Sequence, residues 1–231
     1  MKILLIETAT RVCSVALSVD GHVVALRECA EPDAHSTRLP LFVKELTDGQ
    51  RPDAVCVSAG PGSYTGLRIG VSSAKGLCYG YGIPLLSVPT LLSMAAHYYM
   101  QHPEYKGLVC PMIDARRMEC YTMLVDLQLN VLRDTHADVF EETEDSPLST
   151  LRSQLDRGDV VFIGDGAAKT RPLLGSHPNA RYDESFTVSA AGMAQLAEQH
   201  LAAGQVEDVA YFEPFYLKDF VAKKSVVHGL R

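Results

Sequence analysis

The eleven residues Gly60-Pro61-Gly62-Ser63-Tyr64-Thr65-Gly66-Leu67-Arg68-Ile69-Gly70 set four glycines and a proline where a strand-like run meets a helix-like one. Ala54 to Ala59 is short, apolar and bounded by Pro52 and Gly60, which reads as a buried strand. From Ser63 onward Leu67, Val71, Ala74, Leu77 and Cys78 recur at three and four residues, the spacing of one helix face. Pro61 and Gly62 therefore mark a sharp strand-to-helix turn.

The unpaired N–H groups that open such a helix attract anions. Here, however, the glycines continue past the turn: Gly66, Gly70 and Ala74 form one small-residue stripe, and Ser72, Gly76 and Gly80 form a second. A helical glycine costs about 1 kcal/mol against alanine, so a series of them calls for a compensating close approach by another backbone. The helix is read first as a docking face and second as a phosphate site. The same residues also suit a helix pressed tightly against its own sheet.

A chain of 231 residues makes one large domain or two of about 100 residues each. Its formal net charge of −7 disfavours a broad phosphate-backbone footprint, and the C-terminal Lys218, Lys223 and Lys224 read as a solvated tail. The six cysteines form no CxxC pair and sit mostly in apolar runs, where a thiol behaves as a small hydrophobe. With no cleavable leader and no long apolar run, the expected compartment is the reducing cytoplasm, with no membrane contact.

Lys2 to Glu7, Val12 to Val19 and His22 to Cys29 read as strands, the last two joined by the hairpin signal Asp20-Gly21. A helix from Ala34 to Leu46 contains Pro40, which implies a kink or a late start. Pro84 to Val88 reads as a strand and Thr90 to Tyr99 as a helix, completing an α/β unit. After a link at His102 to Gly107 the pattern restarts with strands at Leu108 to Asp114, Cys120 to Asp126 and Val131 to Val139. An acidic loop (Glu141 to Asp145), a helix from Pro147 to Leu155, a strand at Val160 to Ile163 and a helix from Ser189 to Ala203 follow. The repeated opening suggests a duplication, divided as 1–104 and 105–231.

Glu7, Thr8 and Thr10 follow the first strand, where a turn can present an acid, hydroxyls and N–H groups to a phosphate. A plain hairpin turn uses the same residues. The matching second-half turn, Asp114-Ala115-Arg116-Arg117, has no glycine and so offers a pyrophosphate no close backbone. Gly164-Asp165-Gly166 suits either a nearby ribose or an ordinary strand-to-loop turn. His35 has Leu39, not histidine, four residues on, so a helical HxxxH metal pair is missing. Around Ser63 there is no G-x-S-x-G elbow, and no Cys–His arrangement is recognisable elsewhere.

Taken together, Ile3 to Thr10 with Cys13 to Leu17, His35 to Pro40, Gly60 to Gly70, Asp114 to Tyr121 and Pro214 to Leu217 resemble the TsaB (YeaZ) family over nearly the whole chain. Tyr64 stands where Phe is usual in that family's glycine-rich motif. The resemblance implies an actin-like ATPase (ribonuclease H-like) fold of two duplicated lobes, with mixed sheets flanked by helices. It implies a role in making N6-threonylcarbamoyladenosine in tRNA, as a non-catalytic partner that binds and activates TsaD, a metal-bearing paralogue. The other implied partners are a TsaE-like ATPase, a second copy when the chain is alone, and tRNA only through the complex. No metal and no cofactor are expected, beyond weak ATP or ADP binding within the complex. Residue by residue, the partner interface is expected at His35, Leu39, Phe42, Val43, Gly66, Gly70 and Ala74. A vestigial nucleotide site is expected at Glu7, Thr8, Thr10, Gly164, Asp165 and Gly166. The competing readings are a free-standing nucleotide-dependent ATPase or kinase of the same fold, and a metallopeptidase, which Leu39 opposes.

Overall fold

A computed structural model describes residues 1–140 and 147–217; the acidic loop at Glu141 to Asp145 and Lys218, Lys223 and Lys224 lie outside these. Strand β1 (Lys2–Glu7) is apolar on both faces and is flanked on both sides. β2 (Cys13–Val19) and β3 (His22–Cys29) fold back antiparallel through Asp20 and Gly21, whose φ angles of 50° and 76° are those an Asp-Gly hairpin supplies. β4 (Ala54–Ser58) and β5 (Leu85–Val88) add in parallel beyond β1, giving the order β3-β2-β1-β4-β5.

The second sheet repeats this winding. β6 (Leu108–Asp114), β7 (Glu119–Val125) and β8 (Val131–Val139) are antiparallel, and β9 (Val160–Ile163) and β10 (Ala180–Asp183) follow in parallel, in the order β10-β9-β6-β7-β8. Both halves therefore follow the duplicated α/β plan.

The helix expected from Ala34 breaks at Arg38 into α1 (Ala34–Thr37) and α2 (Leu39–Thr47). Pro40 lies in the first turn of α2, where its missing N–H costs nothing, so the helix restarts there. α3 (Tyr64–Tyr81) is capped by Ser63, whose Oγ accepts the Gly66 N–H at 3.2 Å, and it stops at Gly82 with φ 61°. α4 (Thr90–Gln101), α5 (Leu148–Leu155), α6 (Arg171–Leu174) and α7 (Ala194–Ala202) are the other α-helices among the described residues. The helical pattern from Ser189 opens as a 3-10 turn, Ala190–Met193, in which Gly192 meets the Ser93 carbonyl so closely that no Cβ would fit.

Strand alternation sorts the core into layers. Leu4, Ile6, Val55 and Val57 face α2 and α3, whereas Ile3, Leu5, Cys56 and Leu86 face the 3-10 turn and α7. On the second sheet, Val109, Ile113 and Val161 face α4, and Cys110, Met112 and Phe162 face α5 and α6. A division at 104/105 thus separates the sheets but not their helices, since α4 covers the second sheet and α7 the first. Among the described residues no helix is long and apolar enough to cross a membrane.

Candidate functional site

The turns that end β1 and β6 face each other across a cleft of about 930 Å³. Its walls come from Ala9 to Arg11, the Ala30 to Asp33 loop, Pro61 to Thr65, Ile113 to Arg117, Asp165 and Phe215 to Leu217. On the first side Ser63 N–H donates to the Ala9 carbonyl at 2.7 Å, and a Cβ on Gly62 would overlap Ala9, which explains the glycine there. Glu7 lies beneath this turn, fully buried. Its Oε1 accepts the Ala9 N–H at 2.6 Å, and its Oε2 is buried without a partner. Burial pushes the Glu7 carboxyl up to about 7, against the opposing pull of the Ala9 amide and Ser58.

On the second side Arg116 and Arg117 adopt left-handed backbone, with φ of 73° and 50°. Asp114 Oδ1 accepts the Arg116 N–H and the Lys169 ammonium, each at 2.6 Å, and Asp165 Oδ1 accepts the Asp114 N–H at 2.9 Å. Partial burial would raise the Asp114 carboxyl, but Lys169 and the Arg116 amide outweigh it and hold it below its ordinary range. The acids of this turn are thus already engaged, while Arg11, Arg116 and Arg117 stand exposed on the rim.

Of the six expected nucleotide-site residues, Thr10 and Asp165 line the cleft, and Glu7 and Thr8 are buried below it. Gly164 and Gly166 serve packing instead: a Cβ at Gly164 would strike the Met112 carbonyl, and one at Gly166 would lie 2.9 Å from Cys120 Sγ. Their glycine character answers to these close strand contacts.

Helix α3 turns part of the expected interface toward the core. Gly66, Gly70 and Ala74 are buried and face inward, where a Cβ at Gly66 would collide with the Thr8 carbonyl and one at Gly70 with Thr8 Oγ1. Leu39 is also in the core, with Phe42 and Val43 packed partly against it. His35 lies on the cleft wall with its Nε2 buried and unpartnered, and the break at Arg38 leaves positions 35 and 39 on different helices. Among the described residues no group of three or more potential metal-ligating side chains gathers.

The outward stripe is the second one, Ser72, Gly76 and Gly80, all exposed; a Cβ added at Gly76 or Gly80 would meet nothing within 4 Å. Around it stand Thr65, Arg68 and Tyr79, the last 86% exposed. Arg68 Nη1 donates to Tyr64 Oη at 2.9 Å, with its guanidinium over the same ring. The final segment straps this lobe: Glu207 bridges to Leu85, Lys75 Nζ donates to the Ala210 and Phe212 carbonyls at 3.0 Å each, and Phe215 N–H donates to Ala59. Tyr216 then packs on Tyr64 with ring centroids 4.9 Å apart. Sequence reasoning placed no cleft wall at Ala30 to Asp33. The signal for the outward face was present in the second small-residue stripe.

Residues 31–228 match the family model of TsaD, tRNA N6-adenosine threonylcarbamoyltransferase. The chain is 34% identical to the tRNA threonylcarbamoyladenosine biosynthesis protein TsaB of Escherichia coli K12, with 98% of each chain covered. It is 28% identical to the protein of the same name from Haemophilus influenzae, covering 98% of this chain and 97% of that one. Among solved structures, YeaZ from Pseudomonas aeruginosa superposes with a TM-score of 0.78 at 25% identity, over 94% of this chain and 99% of the other. A second structure from that organism, described as similar to peptidase YEAZ, gives a TM-score of 0.76 at 25% identity over the same 94% and 99%.

Proposed function

This chain belongs to the TsaB (YeaZ) family, and from that premise we propose that it serves tRNA threonylcarbamoyladenosine biosynthesis as a non-catalytic partner that binds and activates a TsaD-like paralogue. The observation that carries this reading is the outer face of α3. Gly76 and Gly80 each cost helix stability, and among the described residues a Cβ at either would meet nothing within 4 Å, which fits a compensating approach from a partner. A second helix can lie against Ser72, Gly76 and Gly80 with its backbone close, and Tyr79 and Arg68 flank that lane as anchors of the kind interfaces favour. The same face would pair two copies when the paralogue is absent.

The cleft supports a non-catalytic role. Asp114 is neutralised by Lys169, the second turn carries arginines at positive φ in place of glycine, and Glu7 is shut beneath Ala9. On this reading any ATP or ADP binding is weak and confined to the complex, a TsaE-like ATPase joins the assembly, and tRNA is met through it, in the cytoplasm.

The test is co-purification with the paralogue. Gly76→Arg and Gly80→Arg are expected to abolish pull-down and the heterodimer peak in size exclusion while leaving circular dichroism unchanged. Undiminished pull-down by both variants would overturn the assignment of this face. Turnover of ATP with Mg²⁺ by the isolated chain would overturn the non-catalytic reading.

A further inference from the structure

Cys13 opens β2, Cys29 closes β3, and the two are direct partners in the antiparallel register. They form the last rung of the hairpin ladder, and both thiols point to the same side of the sheet, into the core cluster beneath α2. Directly opposed residues in such a ladder have Cα atoms roughly 4.5–5.5 Å apart, inside the roughly 4.4–6.8 Å that a disulfide spans. Beyond this rung the chain leaves the sheet on both strands, toward the turn at Thr10 and the loop at Ala30.

The two thiols differ in access. Cys13 is fully buried, and burial, with a smaller contribution from Cys29, raises its thiol to about 11. Cys29 is half-buried, two residues before Glu31, whose carboxylate is paired with the Arg38 guanidinium at 3.1 Å. Partial solvent access at Cys29 lets an oxidant reach one thiol of the rung, and the buried Cys13 opposite is placed to resolve it.

We propose that Cys13 and Cys29 form an oxidisable dithiol, in which the Cys29 sulfur attacks a peroxide-class oxidant and Cys13 then closes a disulfide across the β2–β3 hairpin. In the first step the Cys29 sulfur breaks the peroxide O–O bond, keeps one oxygen as a sulfenic acid and releases water. In the second the Cys13 sulfur attacks the sulfenic sulfur, the S–O bond breaks, and the hydroxyl leaves with the Cys13 proton as a second water. Two thiols lose two electrons in all, and the peroxide is reduced to two waters. The bond would tie the Ala30 to Asp33 wall of the cleft to the start of β2.

The experiment treats the full chain with hydrogen peroxide, alkylates it under denaturing conditions and maps it by peptide mass spectrometry. The expected result is loss of alkylation at Cys13 and Cys29 alone, a cross-linked peptide joining them within one chain, and full recovery on reduction with dithiothreitol. Cys13→Ser is expected to leave Cys29 trapped as a dimedone-reactive sulfenic acid, whereas Cys29→Ser leaves Cys13 unoxidised. Equal alkylation of all six thiols after peroxide, or Cys29 cross-linked only between two molecules, would overturn the proposal. Because the unsubstituted chain carries the main readout, a variant that misfolds does not blunt the test.

Discussion

At the scale of single residues, Glu7 shows how far chemistry can hide behind a residue type. An acid after the first strand is legible in the sequence as a phosphate-turn candidate, but its burial is not, because that depends on Ser63 and Gly62 folding over Ala9 from the other side. His35 misleads in a similar way: its missing partner at Leu39 was readable, its buried and unpartnered Nε2 was not. The Glu7 carboxyl has an ordinary value of 4.5 and is raised to about 7 in the folded chain. Between those values the native state holds a proton that the unfolded state has lost, so stability falls as pH rises through this window and is flat on either side. The full shift corresponds to a loss on the order of 3 kcal/mol. Glu7→Gln should remove this slope. Urea midpoints measured from about pH 4.5 to 7.5 should decline for the parent chain and, apart from background titration, stay level for the variant. A parallel decline in both would show that Glu7 is not the titrating group.

At the scale of elements, hydrophobic period and turn residues were enough for most of the chain. β1, β3, β6, β8 and β9 fall where their patterns end, and the Pro40 interruption appears as the break at Arg38. β10 and α6 escaped notice because Ala180–Asp183 is a short, half-exposed edge strand and Arg171–Leu174 is a single turn, neither long enough to show a period. Helix α3 was found, and its apolar row Leu67, Val71, Ala74 and Cys78 is the side the core buries; the docking reading overlooked that Gly66 and Gly70 lie on that same side. Structure separates the two small-residue stripes by what surrounds each Cβ, and stability measurements should do the same. Gly66→Ala would press a methyl onto the Thr8 carbonyl and is expected to cost about 1–3 kcal/mol. Gly76→Ala enters open space in a regular helix and is expected to add about 0.5–1 kcal/mol in the isolated chain. Chemical denaturation of the two single variants checks both signs, and destabilisation by Gly76→Ala would mean the outer stripe is not free.

At the scale of the whole molecule, the duplicated winding was legible because each half repeats the same order of strands and turns, but the exchange of helices between halves was not. No pattern within α4 says which sheet its apolar face will meet. In the fold Leu91, Met94, Ala95, Tyr98 and Tyr99 are buried against the second sheet, and Ala190, Met193, Ala194 and Leu196 cover Ile3, Leu5, Leu86 and Val88 of the first. A hydrogen bond from the Ala190 N–H to Ser14 Oγ at 2.9 Å ties the second half to β2 as well. Large apolar side chains contribute about 1.5–3 kcal/mol each when buried, so exposing the α4 set alone would cost on the order of 10 kcal/mol, comparable with the roughly 5–15 kcal/mol that holds a whole domain folded. Each half also loses its cover from the other, so the two losses fall on the same fragment. Separate expression of residues 1–104 and 105–231 should therefore give two chains without cooperative thermal unfolding, while co-expression restores a single transition and the near-ultraviolet dichroism of the tyrosine cluster around Tyr98, Tyr99 and Tyr105. A sharp, reversible melt from residues 1–104 alone would show that α4 can fold back on its own sheet, and the helix exchange would then be dispensable to the architecture.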